Sequence, residues 1–106
     1  HLNFKTDDIK NIDKYSDYEC FFFSEITWYM LENKFLDNVF KLMSEKLKGK
    51  YFIHNLVFYK GQQKYGNNYF TNLNEFIRFC PFELLGKVEI DLKQSETIET
   101  STIFKI

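Results

Sequence analysis

The reactive side chains of this 106-residue chain are few, and none stands in a recognised catalytic pattern. His54 is the only internal histidine, and Cys20 and Cys80 are the two cysteines. A thiol beside an imidazole is the arrangement of an activated cysteine nucleophile. Each cysteine, however, lies in an apolar run, where a free thiol usually packs as a small hydrophobe, and His54 lies within a predicted strand. We therefore predict structural roles for all three and no catalytic residue.

Metal and cofactor chemistry has equally little support in the sequence. One internal histidine and two isolated cysteines do not form the spaced ligand set of a zinc site. The four glycines are scattered, at positions 49, 61, 66 and 86, so the sequence contains no glycine-rich phosphate loop. Carboxylates such as Glu89 and Asp91 fall at expected solvent positions and suggest no acid–base pair. We expect no metal, no cofactor and no enzymatic activity.

The composition predicts one folded domain spanning residues 1–106. Apolar residues make up 44% of the chain, which is typical of globular proteins, and 13 Phe and 7 Tyr predict a core of aromatic rings. No apolar stretch approaches the roughly 18 residues of a membrane span. Two cysteines fit the reducing cytoplasm, which is the predicted location; a Cys20–Cys80 disulfide is the alternative for a secreted protein.

The first half of the chain indicates helices. Thr6 followed by Asp7 and Asp8 is typical of a capped helix start, and this helix should be short. Residues 18–31 leave strand and helix open. From Leu31 to Leu47 apolar residues recur at helical spacing, and a glycine at position 49 should end that helix.

The second half alternates between strand and turn patterns. Residues 51–60 predict a central strand, and residues 69–70 predict an additional short strand after two turns. Asn72 with Glu75 fits a capping box that opens a short helix, and Pro81 should stop it.

The end of the chain predicts a hairpin. Apolar residues at 88, 90 and 92 alternate with charged ones, as in a half-buried antiparallel strand. A turn near 94–96 then leads into a strand over 97–106. The predicted fold class is α+β, with a mostly antiparallel sheet of three to five strands and two or three helices packed on one face.

Our leading functional hypothesis is a non-catalytic protein-binding module. Small cytoplasmic α+β domains without motifs, encoded by AT-rich genes, include the bacterial immunity proteins, which neutralise one cognate toxin by one-to-one binding; no motif links this chain to them. Acids cluster near the start of the chain, and tyrosines, which are enriched in binding hot spots, follow the central strand. The candidate partner-binding residues are Asp7, Asp8, Asp13, Asp17, Glu19, Tyr59, Tyr65, Asn67, Asn68 and Tyr69.

Two alternatives remain open. Residues 34–64 carry seven lysines against two acids, which suggests weak nucleic-acid binding. Against it stand a net charge of −1 and a single arginine, Arg78. The second alternative is a subunit or domain of a larger assembly, which would pair through the edge of its last strand at Ile106. Exposure of the run from Phe21 to Phe23 would support this assembly hypothesis.

Overall fold

A four-stranded mixed sheet forms the centre of the computed structural model, which describes residues 7–64 and 66–106. In chain order the strands are β1 (Cys20–Ser24), β2 (Tyr51–Tyr59), β3 (Glu83–Asp91) and β4 (Thr97–Lys105). Their spatial order is β1-β2-β4-β3, with β1 parallel to β2 and the other two pairs antiparallel. The predicted fold class is confirmed.

The helices cover one face of this sheet. They are α1 (Phe35–Lys46), α2 (Leu73–Phe79) and three short 3₁₀ helices, at Ile9–Tyr15, Thr27–Met30 and Glu32–Lys34. Phe40 of α1 lies against Phe52 of β2 with 5.7 Å between ring centroids, and Phe76 of α2 lies against Phe104 of β4 with 6.3 Å. Within the described residues, no helix has the length and apolar character needed to cross a membrane.

Strand alternation determines which side chains enter the core. Buried positions recur at every second residue of β2, so one side of the sheet faces the helices. Phe52, His54 and Leu56 are fully buried there. Cys80 is also buried, whereas Cys20 is exposed, and both thiols are free, so the alternative disulfide is not formed.

The first elements differ in detail from the prediction. Thr6 lies outside the described residues; the helix begins at Ile9, and Asp8 caps it by accepting a hydrogen bond from the Lys10 amide at 3.1 Å. Residues 18–31 contain both a strand and a 3₁₀ helix.

The main helix is shorter than predicted at its start. It begins at Phe35 instead of Leu31, because Asn33 and Lys34 have left-handed backbone angles (φ 55° and 57°) that interrupt the helical path. At its other end the helix stops at Lys46 and its C-cap is Leu47, whose amide donates to the Met43 carbonyl; the predicted cap, Gly49 (φ 88°), lies two residues further on and donates to the Ile106 carbonyl.

Residues 69–70 form no strand, so that prediction was wrong. The amides of Tyr69 and Phe70 both donate to the carbonyl of Gly66, which closes a turn instead of a sheet ladder. Phe70 is nevertheless buried, because its ring fills the space between Trp28 and Phe76 at centroid distances of 5.4 and 5.2 Å. These aromatic residues serve core packing from a loop.

The terminal hairpin is present, but two of its predicted properties were wrong. β3 is not half-buried: Val88 and Ile90 are 59% and 48% exposed, because β3 is an edge strand and both side chains point away from the helices. The strand leading to Ile106 is not an edge, because β4 lies between β2 and β3. The edges of the sheet are β1 and β3.

Replacing Asn72 with alanine should lower the free energy of unfolding by about 1 kcal/mol. Asn72 caps α2 by accepting from the Glu75 amide at 2.9 Å, and Glu75 accepts from the amide and hydroxyl of Thr71. Asn74→Ala makes the same chemical change at an exposed position and should be neutral within about 0.5 kcal/mol. Urea unfolding measures both variants, and equal midpoints would show that the cap contributes nothing.

Candidate functional site

The face of the sheet opposite the helices is an uncovered surface, which we call the open face. Strand alternation places on it the residues between the buried ones: Phe22, Tyr51, Ile53, Asn55, Val57, Tyr59, Val88, Ile90, Glu99, Ser101 and Ile103. Phe22 is 56% exposed although Phe21 and Phe23 on either side of it are buried. Neighbouring exposed apolar side chains of this kind usually mark an interaction surface.

A polar hollow of about 260 Å³ lies within this apolar surface. Glu25, Asn55 and Glu99 line it together with Val88 and Ile90. The Oδ1 atom of Asn55 is buried and accepts no hydrogen bond from any described residue. The hollow is smaller than the roughly 300–1,000 Å³ of small-molecule pockets, and its size therefore suits a single side chain.

The two glutamates of the hollow form a region of unbalanced negative charge. Burial raises the pKa of Glu25 above its usual value; a hydrogen bond from the Val57 backbone opposes this, and the nearby charge of Glu99 raises the pKa further. Among residues 7–64 and 66–106, neither glutamate has a basic ion-pair partner. The hollow thus presents acceptor oxygens from three side chains, and an ammonium or guanidinium group would supply a donor for the Asn55 Oδ1 atom and a positive charge for the two glutamates.

A second hollow of about 410 Å³ adjoins the first, since Glu25 lines both. Its other walls are Trp28, Tyr29, Val57 and Tyr59. The Trp28 indole donates to the Val57 carbonyl at 3.1 Å, which fixes the ring, whereas the Tyr29 side chain is 86% exposed. A fixed indole beside a free phenol is typical of the aromatic contacts at protein interfaces.

The predicted acidic residues lie at the other end of β1, and three of them are engaged within the chain. Asp7 accepts hydrogen bonds from Asn11 and Tyr15 at 2.9 and 2.7 Å, and these bonds lower its pKa to about 2. Glu19 forms an ion pair with Lys50 at 3.1 Å. Asp8 caps the first helix and lies 3.9 Å from the Lys10 ammonium, and the other two candidates are the half-buried Asp13 and the exposed Asp17.

The predicted tyrosine-rich segment is only partly a surface. Asn67 and Asn68 are exposed, but Tyr69 is half-buried and donates from its hydroxyl to the Leu31 carbonyl at 2.7 Å. Tyr59 is half-buried and lies on the open face, and Tyr65 lies outside the described residues.

The structure does not bring the two predicted groups together. The Tyr51 amide at the start of β2 donates to the backbone carbonyl of Glu19, beside the acidic group, whereas Tyr59 ends the same strand. Eight residues of strand separate these two points by about 26 Å. The open face runs between them, and a groove of about 400 Å³ lined by Asp7, Asp8 and Phe22 connects the acidic end to it.

Two of the three candidate reactive groups, His54 and Cys80, are buried in the core, whereas Cys20 is exposed, so the prediction that its thiol packs as a small hydrophobe was wrong. His54 is fully buried, its ring stacks on Phe76 with 4.0 Å between centroids, and its Nε2 atom lies 2.5 Å from the Thr27 hydroxyl. Burial lowers the pKa of His54 to about 3 and raises the pKa of Cys80 to about 12. In the part of the chain that is described, no three His, Cys, Asp or Glu residues are grouped as metal ligands.

The lysine-rich segment is partly neutralised by its own chain. Lys50 pairs with Glu19, Lys60 pairs with Asp91 at 2.5 Å, and Lys64 lies over the Tyr59 ring at 5.0 Å. These contacts reduce the positive charge that residues 34–64 offer to a nucleic acid.

Sequence reasoning missed the residues that define the hollow. Glu25, Asn55 and Glu99 come from three separate parts of the chain, and strand pairing brings them together. The available signal was the alternation within each strand, which predicts two faces but not which strands are neighbours.

Comparison with known proteins adds no relative to this description. No protein-family model, no curated protein and no solved structure matches this chain.

Proposed function

We propose that this chain is a non-catalytic protein-binding module that binds its partner through the open face, with a lysine or arginine of the partner inserted into the hollow between Glu25 and Glu99. The observation that supports this most directly is the hollow itself, where the buried Asn55 Oδ1 atom accepts no hydrogen bond and neither glutamate has a basic partner among the described residues. Leaving a buried acceptor unpaired costs free energy, so a donor from a partner would be favoured there.

The surroundings of the hollow fit a partner side chain with a long apolar stem. Val88 and Ile90 form its walls, and the stem of a lysine or arginine packs on such surfaces while its charged head reaches polar groups. Phe22 lies on the open face and Tyr29 lies beside it, and both supply exposed aromatic surface for a partner. An apolar region around a charged anchor is the usual anatomy of an interface.

A cognate toxin is the partner that we propose within this class. A nuclease toxin with a basic surface would meet the negative charge of the hollow and of Asp8, Asp13 and Asp17, and such complementarity speeds association. The free thiols Cys20 and Cys80 are compatible with the cytoplasm, the location that we propose for this activity.

The proposal predicts that Glu25→Gln combined with Glu99→Gln weakens partner binding about 30-fold or more, because removing a charge pair at an interface costs about 2 kcal/mol or more. The partner is first identified by tagged pull-down and mass spectrometry, and its affinity is then measured by calorimetry. The double variant removes charge repulsion and should not lower the melting temperature, so loss of binding would not reflect unfolding.

The matched control is Asp13→Asn combined with Asp17→Asn, which removes the same charge at the acidic end of β1. This variant should slow association but keep the complex. Unchanged affinity of the Glu25/Glu99 variant would refute the hollow as the anchor site. Loss of the complex in the control variant alone would assign binding to the acidic end instead.

A further inference from the structure

β3 is an edge strand whose outward side is unoccupied among the described residues. In an antiparallel strand every second residue directs its N–H and C=O away from its neighbour. Those groups of β3 therefore point outward and can form a ladder with another strand. The exposure of Val88 and Ile90 leaves that side accessible.

The charges along β3 limit which strand can pair with it. A bulge between Leu84 and Gly86 interrupts the register, so the regular part runs from Gly86 to Asp91. Lys87 and Glu89 point to the helix side of the sheet, because they face the buried Thr102 and Thr100 of β4. A strand added at this edge must place compatible groups opposite both charges.

A second copy of β3 satisfies this requirement in one symmetric arrangement. In an antiparallel pair of identical strands related by a two-fold axis, the residue on the axis faces the same residue of the other copy. The residue before it in each copy then faces the residue after it in the other copy. With Val88 on the axis, Lys87 of each copy faces Glu89 of the other, which gives two opposite-charge pairs. On the other side of the sheet, Ile90 of each copy lies opposite Gly86, where no side chain obstructs it.

Every other symmetric register of residues 86–91 either brings like charges together or meets the bulge. Lys87, Glu89 or Asp91 on the axis would face its own charge in the other copy. Ile90 on the axis would place Glu89 opposite Asp91, which is again a repulsive pair. An axis at Gly86 would fall beside the bulge, where regular pairing ends.

We propose that two copies of this chain associate through β3, antiparallel and with Val88 on the two-fold axis, to form a continuous eight-stranded sheet. The two open faces then lie side by side on one surface. This inference rests on the edge of the sheet and its charges, and it does not depend on the identity of any other partner.

Charge reversal tests the pairing. Lys87→Glu or Glu89→Lys alone turns both crosswise pairs into repulsive ones and should weaken dimerisation roughly ten- to a hundredfold in sedimentation equilibrium. The double variant Lys87→Glu with Glu89→Lys restores opposite charges and should dimerise like the unaltered protein. A monomeric unaltered protein at tens of micromolar would overturn the proposal, and so would a double variant as weak as the single ones.

Cysteine cross-linking tests the register. On a Cys20→Ser background, Val88→Cys should form a disulfide-linked dimer under mild oxidation, because residue 88 faces its own copy. Ile90→Cys should not, since its copies would be offset by four residues, or about 13 Å along the strands. Equal cross-linking at both positions, or none at residue 88, would refute this arrangement.

Discussion

Replacing Phe76 with alanine is expected to lower the free energy of unfolding by about 3–5 kcal/mol. Phe76 is fully buried, and its ring contacts Phe40, Phe70 and Phe104 as well as His54. Removing it leaves a cavity between α2 and the sheet that surrounding rings can fill only in part. Since small domains are stable by only about 5–15 kcal/mol, the loss would be a large fraction of the total.

The control for this prediction is Phe22→Ala, the same substitution at a ring that is 56% exposed. It should change stability by about 0.5 kcal/mol or less. Urea unfolding of the two variants and the unaltered protein gives the comparison. Equal losses at residues 22 and 76 would contradict the assignment of α2 to the core.

Acidification below neutral pH should destabilise the protein through His54. Burial lowers its pKa from 6.5 to about 3 in the folded state. Between these two values the unfolded chain binds a proton that the folded chain excludes, so stability is complete above pH 6.5 and falls as the pH decreases. The slope should reach at most about 1.4 kcal/mol per pH unit.

His54→Gln isolates this contribution, because glutamine retains a group that can hydrogen-bond Thr27 but does not titrate. Glu25, whose pKa is raised, acts in the opposite sense, and Asp7 acts only at lower pH; both are present in either protein. Urea unfolding from pH 7 to pH 5 should therefore show a steeper loss in the unaltered protein. If the free energies of unfolding of the two proteins fell in parallel with decreasing pH, His54 would have to accept a proton in the folded state.

Local sequence patterns predicted those elements that are stabilised by interactions between residues close together in the chain. Asn72 and Glu75 predicted the start of α2 because the cap is formed by these two residues and their immediate neighbour. The helical spacing before Gly49 predicted most of α1 for the same reason. The start of α1 was misplaced because the spacing of apolar residues does not register the left-handed conformation of Asn33 and Lys34.

Features that depend on strand order could not be predicted. The alternation of apolar and charged residues around Val88 predicts a strand with two different faces. It does not show whether one face is buried or both are exposed, because that depends on the position of β3 at the edge of the sheet. The same holds for the hollow: Glu25 and Glu99 are separated by 74 positions in the sequence, and pairing of β2 with both β1 and β4 makes them neighbours.

The interior position of β4 has a consequence for synthesis of the chain. β4 is the last of the four strands to leave the ribosome, yet it alone joins β3 to the rest of the sheet. Until residues 97–105 emerge, the side of β2 that pairs with β4 has no partner strand. The nascent chain then exposes β2, which is rich in aromatic residues. Nascent chains in that state are prone to aggregate. Slow translation across the last hairpin should therefore lower the yield of folded protein more than slow translation within α1.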